Sequence, residues 1–222
     1  MNLVVSGNQK GDTMSLPRFL AAVAACFLLG ASSLAQVIED RQPGVVELQI
    51  ESSRITGLAS LITGPYGAPI PGIEDRLDPI SIFSIHGRLF GITDASSELR
   101  RMSTSLCDLG NVHHRYQQIY RGIEVLTGQV IVHQDPQGRF LAVNGDFYPI
   151  RSQVPTQPDF SLEDAIFLAA GEMKIENPQT LEEKLVIVDP RWYGDPSDGQ
   201  VHLAWHMVIG SERVLPQHVL ID

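Results

Sequence analysis

Hydrophobic and polar positions change their spacing along this chain. After Asp78 the apolar residues follow the spacing of a helix, with Asp78 as its capping side chain and Gly91 as the residue that ends it. From residue 112 the pattern alternates, which predicts strands at Val112–Tyr120, Ile123–His133 and Arg139–Ile150. The second of these is either regular or bulged, because Gly128 lies inside it. An Arg-Gly pair and the sequence DPQG separate these strands and are typical of tight turns, so the pattern predicts an antiparallel meander.

A second helix pattern and further strands follow a polar, proline-containing linker. Ser161 opens this helix, and Asp164 three residues later gives a capping-box pattern. The strands are predicted at Lys184–Asp189 and Gln200–Ile209. We therefore predict the α+β class, with two small units that each pack a helix on an antiparallel β-sheet. The predicted organisation is a signal peptide at 1–35, an extended lead-in rich in Gly, Pro and Ser at 36–77, a first unit at 78–151, a linker at 152–160 and a second unit at 161–222.

The N-terminal residues have the order of a secretory signal peptide. An apolar run at Phe19–Leu29 follows a basic residue and precedes small residues, and it is too short to cross a membrane. We expect translation to start at Met1 or Met14 and cleavage to follow Ala35. The protein is then secreted or periplasmic. Lipid attachment at Cys26 is the disfavoured alternative, because cleavage there would split the apolar run.

Charge and cysteine content narrow the function classes. The formal net charge is -10, which disfavours a nucleic-acid binder and a protein drawn to anionic membranes. Two cysteines cannot form a disulfide scaffold. Once the signal peptide is removed, Cys107 is the remaining thiol, and nothing near it in sequence marks a nucleophile. We expect it to be buried and inert.

The histidines do not form a recognisable metal motif. None of the seven is followed by glutamate, so the zinc-binding sequence HExxH is excluded. His202 and His206 are four residues apart, but on a strand that spacing separates them by about 13 Å. His113 and His114 point to opposite faces of their strand. The sequence therefore predicts no catalytic, metal or cofactor site in this chain.

The stretch from Ile80 to Ile150 resembles the fungalysin/thermolysin propeptide domain, called FTP. It carries the family pattern R-x-x-Q-x-x-x-G-(I/V)-x-V, with the next hairpin arm beginning at Gly138. The pattern residues are Arg115, Gln118, Gly122, Ile123 and Val125. Residues 161–222 are similar to the PepSY domain that often follows FTP, through SLEDAIFLAA, KLVIV and HLAWHMVI.

This resemblance implies a pro-region of a secreted thermolysin-like zinc metallopeptidase, which helps the catalytic domain to fold and inhibits it until cleavage. Zinc would belong to the absent catalytic domain, and Arg115, Gln118, Gly122, Val125 and Gly138 would be structural. The PepSY pattern normally continues beyond Asp222, so we expect a fragment. Two alternatives remain open: a free-standing exported inhibitor of a separate protease, and an envelope module without a protease partner.

Overall fold

Strands form most of the secondary structure. A computed structural model of the protein describes residues 3–6, 47–194, 199–212 and 214–222. Its strands are β1 (Leu3–Ser6), β2 (Gln49–Ser52), β3 (Ala59–Thr63), β4 (Leu99–Leu106), β5 (Val112–Tyr120), β6 (Ile123–Gln134), β7 (Phe140–Asp146), β8 (Gln179–Val188), β9 (His202–Ser211) and β10 (Val214–Ile221). Its α-helices are α1 (Ile82–Phe90), α2 (Ala95–Glu98) and α3 (Leu162–Met173). The predicted cleavage site at Ala35 and the alternative lipid site at Cys26 lie outside the described residues.

The described strands form a single sheet, in the order β1-β10-β9-β8-β6-β7-β3-β2, while β5 pairs with β6 and carries β4. These neighbours are antiparallel, except for a short parallel contact between β6 and β8 at Glu124 and Val125. The sequence predicted a separate sheet for each unit. The contact forms because β7 pairs only with residues from Gln129 onward, which leaves the start of β6 free for β8. The α+β class is confirmed in outline, with strands more abundant than the prediction implied.

Helix α1 packs on the first half of the sheet. Its end is set by Gly91, whose φ of 85° is readily adopted by glycine. Phe83 meets Tyr116 of β5 edge to face, with ring centroids 6.1 Å apart. Buried side chains of β3, β5, β6 and β7 complete this core, which therefore lies on one face of the meander.

Helix α3 packs on the second half of the sheet. Ser161 and Asp164 form a complete capping box at its start, as the sequence predicted. Ala165 and Ala169 pack against buried residues of β9 and β10, including Met207. Small alanine side chains allow the helix to lie close to the strands.

A third apolar cluster lies where the two halves meet. Val125 of β6 and Ile187 of β8 are buried there with Tyr148 and Val154 from the segment after β7. Tyr148 stacks on Trp192 with ring centroids 4.1 Å apart. The residues predicted as a linker therefore contribute to a core, and the halves are joined by packing as well as by hydrogen bonds.

The described part of the predicted lead-in is more ordered than expected. Strands β2 and β3 pair with each other, and β3 pairs with β7, which corrects the expectation of a loosely packed extended segment. Ile62 and Ile70 are buried in the core beneath α1. The glycine and proline residues around these short strands form turns, and this composition concealed the strands.

Candidate functional site

Strands β5, β6 and β7 present one face to the core and the other toward solvent. Tyr116, Val130, Val132 and Val143 are buried in the core, whereas the residues that alternate with them are partly or fully exposed, except for the buried Gln117. We call the second surface the open face. It carries His113, Arg115, Gln129, Ile131, His133 and Asn144.

Arg115, the first residue of the predicted family pattern, belongs to a row of polar side chains on the open face. Its Nη1 donates a hydrogen bond to Oε1 of Gln129 at 2.9 Å. Gln129 Nε2 donates in turn to Oε1 of the buried Gln117 at 3.1 Å. Gln117 Nε2 donates to the carbonyl oxygens of Val125 and Gly128, at 2.6 and 3.0 Å. The row thus links the exposed guanidinium of Arg115 to the part of β6 in which pairing with β5 is interrupted.

Gln118, the second pattern residue, holds the chain segment that follows β7. Its Nε2 donates to the carbonyl oxygen of Tyr148 at 2.8 Å, and its Oε1 accepts from the amide of Tyr148 at 2.9 Å. We call this pair of hydrogen bonds the Gln118 clamp. A Cβ on Gly128 would lie 2.5 Å from Gln118 Oε1, so the clamp requires glycine at that position. Sequence reasoning singled out Gln118, but the partner 30 residues away had no sequence signal.

The remaining pattern residues occupy turns and core. Arg121 and Gly122 both have positive φ, 48° and 88°, in the tight turn between β5 and β6. Gly138 has a φ of 82° in the turn between β6 and β7. Val125 is fully buried at the junction of the two halves. The structure therefore does not bring the five predicted residues into one cluster, and their structural role stays a prediction.

Two pairs of histidines lie on neighbouring strands. His113 and His133 are directly opposite each other, with their Nδ1 atoms 2.6 Å apart. His206 Nε2 lies 3.1 Å from Nδ1 of His218, with the rings stacked. His202 instead contacts a carboxylate oxygen of Asp222 at 3.0 Å, so it does not join His206. Sequence reasoning missed both pairs because strand register creates them.

Burial lowers the pKa of several of these imidazoles. The pKa of His133 falls below its ordinary value because burial penalises the charged ring, although its hydrogen bond to Asn144 opposes the shift. Burial likewise lowers the pKa of His206, and the charge of His218 adds to the effect. These rings are thereby biased toward the neutral form at neutral pH.

Three further features of the described residue ranges concern metal binding, the free thiol and membrane-spanning helices. No group of three or more His, Cys, Asp or Glu side chains there could hold a metal ion. Cys107 is a half-buried free thiol. Helices within these ranges lack the length and apolar character needed to cross a membrane.

Comparison with known proteins bears on the same strands. Residues 97–147 match the Fungalysin/Thermolysin Propeptide Motif. The matched FTP segment contains β4, β5, β6 and β7, and therefore the whole open face. It is similar to the propeptide part of fungalysin- and thermolysin-like peptidases, which implies association with a peptidase catalytic domain and suggests export.

The other comparisons add little. No curated protein matches the chain. Among solved structures, the Bacillus megaterium YpeB C-terminal domain is similar at a TM-score of 0.35 and 11% identity, covering 79% of this chain and 76% of that one. A likeness at this level supports no argument about function, so the PepSY assignment of residues 161–222 stays a prediction.

Proposed function

We propose that this chain acts as the pro-region of an exported thermolysin-like zinc peptidase, assisting the folding of its catalytic domain and inhibiting it. The observation that carries the proposal is the FTP match at residues 97–147. In this proposal the signal peptide ends at Ala35, and zinc belongs to the peptidase domain. Residues 161–222 act as a PepSY-like second unit.

We further propose that the open face is the surface that contacts the peptidase. Its backbone is held rigidly by the core on the opposite side, because Val130 and Val132 are fully buried. It offers the apolar side chain of Ile131 among polar neighbours such as Arg115 and Gln129. Transient protein interfaces combine these features: a central apolar contact with a polar surround.

Inhibition of a separately prepared catalytic domain tests the proposal. The mature chain is titrated into thermolysin-like zinc peptidases, and inhibition is measured with a peptide substrate. We expect Ile131→Lys to weaken inhibition at least about fivefold, since the few residues at the centre of an interface that dominate binding each contribute more than about 1 kcal/mol. Leu215→Lys is the matched control, because Leu215 is 70% exposed on β10, outside the open face.

Three outcomes separate the alternatives. Equal weakening by both variants would refute the open face as the contact surface. Failure of the wild-type chain to inhibit any such peptidase or speed its refolding would refute both protease-binding hypotheses and favour the envelope module. Sequencing the gene beyond codon 222 distinguishes the other two, because an in-frame HExxH means inhibition within one chain and a stop codon means inhibition of a separate protein.

A further inference from the structure

The His113–His133 pair has the geometry of a chelating site. The two residues are cross-strand partners on β5 and β6, and their rings lie 4.8 Å apart between centroids at an angle of 74°. Their Nδ1 atoms face each other at 2.6 Å. Both side chains are half-buried on the open face, so an ion in solution can reach them.

A hydrogen bond fixes which nitrogen of His133 carries the proton. His133 Nε2 lies 2.6 Å from Oδ1 of Asn144, an atom that only accepts hydrogen bonds. Nε2 therefore donates, and in the neutral ring the lone pair lies on Nδ1, directed at His113. Metal-binding histidines are typically oriented in this way, with the second ring nitrogen donating to an oxygen atom.

We propose that His113 and His133 bind a borderline divalent transition-metal ion, represented by Zn²⁺, through their two Nδ1 atoms. Imidazole nitrogen is a preferred ligand of such ions. At Zn–N distances near 2.0–2.1 Å and tetrahedral angles, the two nitrogens would be about 3.3 Å apart, so the rings separate by less than 1 Å. Water or a group from another molecule completes the coordination.

The proton balance follows from the tautomers. In the neutral pair His113 Nδ1 donates to His133 Nδ1, so metal binding moves the His113 proton to Nε2 and releases no net proton. Only neutral imidazole binds a metal ion, so binding weakens at lower pH. The guanidinium of Arg115 lies near enough to disfavour positive charge on His133, and it also opposes a bound cation. Metal binding by this pair is separate from the proposed function and does not require a peptidase.

The second histidine pair provides an internal comparison. His206 and His218 are stacked, with only 13° between their ring planes. Lone pairs in parallel rings do not converge on one ion, and His206 is only 8% exposed. His218 is an exposed residue of β10, and His218→Gln is therefore the matched control for substitutions at His113 and His133.

The site is tested by titrating Zn²⁺ into the exported protein at pH 7.5, with a chromophoric chelator as competitor. We expect one site that is weakened at least about 100-fold by His113→Gln or His133→Gln, since losing an outer partner alone costs about 10–100-fold. Asn144→Ala should weaken Zn²⁺ binding about 10-fold, because His133 Nε2 loses the acceptor that keeps the proton on that nitrogen. His218→Gln should bind like wild type. Zn²⁺ should also raise the melting temperature of the wild-type protein and of His218→Gln, but not that of His113→Gln or His133→Gln.

Three results would overturn the proposal. One is a dissociation constant above about 1 mM for Zn²⁺ and the wild-type protein. Another is retention of tight binding by His113→Gln with an unchanged circular-dichroism spectrum. Imidazole ¹⁵N NMR keeps the test independent of stability, because Zn²⁺ should leave both rings protonated only at Nε2. Shifts confined to other histidines would likewise refute the assignment.

Discussion

The Gln118 clamp allows a quantitative test of how the FTP segment is stabilised. Gln118 is 2% exposed, and both of its hydrogen bonds go to the backbone of Tyr148, which is 5% exposed. Gln118→Ala removes the side-chain amide and leaves the Tyr148 N–H and C=O groups buried without these partners. A buried unsatisfied group costs about 1–3 kcal/mol, so the two together should lower the free energy of unfolding by about 2–6 kcal/mol.

This destabilisation is large enough to measure in two ways. For a chain of this size, 1 kcal/mol corresponds to about 2–4 °C, so the melting temperature should fall by about 4–24 °C. Urea denaturation should show a lower midpoint with an unchanged slope, because the surface exposed on unfolding stays the same. Gln179→Ala is the matched control, since Gln179 is an exposed glutamine at the start of β8.

One outcome would show that the Gln118 clamp does not contribute as expected. If Gln118→Ala and Gln179→Ala both unfold within about 0.5 kcal/mol of the wild-type protein, the clamp does not stabilise the fold. A fall in inhibition without a fall in stability would instead place Gln118 in a binding role.

Three further predictions test other parts of the structure. Burial is the main cause that lowers the pKa of His206 below 6.5, so the unfolded chain binds more protons and stability falls as pH decreases through that value. His206→Gln should therefore reduce the loss of unfolding free energy between about pH 7 and 5, and an unchanged pH dependence in urea denaturation would contradict this. Gly128→Ala should destabilise by about 1–3 kcal/mol through overpacking against Gln118, measured by thermal melting; a wild-type melting temperature would refute the contact. Fluorescence of Trp192, which stacks at the junction of the two halves, should change in the same transition as circular dichroism, whereas two separate transitions would show independent units.

Local signals predicted the elements that have a clear period. Strand β5 has the predicted bounds, and β6 extends the predicted range by one residue. The capping box at Ser161 and the glycine at the end of α1 were also readable, because helix ends depend on neighbouring residues. The placement of His113 and His114 on opposite faces agrees with their half-buried and buried positions.

Elements without a period were missed. In β4 every residue after Leu99 is exposed, so there is no alternation to detect, and Met102 interrupts the register with β5. The His113–His133 pair depends on the register between β5 and β6, which shifts between Gln117 and Ile119. The sequence allowed a bulge at Gly128 but did not locate the exact residues at which pairing shifts, so neither the pair nor the parallel contact with β8 could be predicted.

Buried polar side chains explain how β6 departs from a regular strand. The amide of Gln117 donates to the carbonyl oxygens of Val125 and Gly128, in the part of β6 where pairing with β5 is interrupted. Backbone groups in such an irregularity would otherwise be unpaired and costly. The start of β6 can then pair with β8, while its end pairs with β7.

This arrangement separates the residues expected to control folding from those expected to control binding. Gln118 lies inside the protein and binds only its backbone, so substitutions there should change inhibition only as far as they unfold the chain. Ile131 lies on the open face, where a lysine should alter docking with little effect on stability. A plot of inhibition against unfolding free energy should therefore place the two kinds of variant on different lines. If all variants fall on one line, the open face has no binding role of its own.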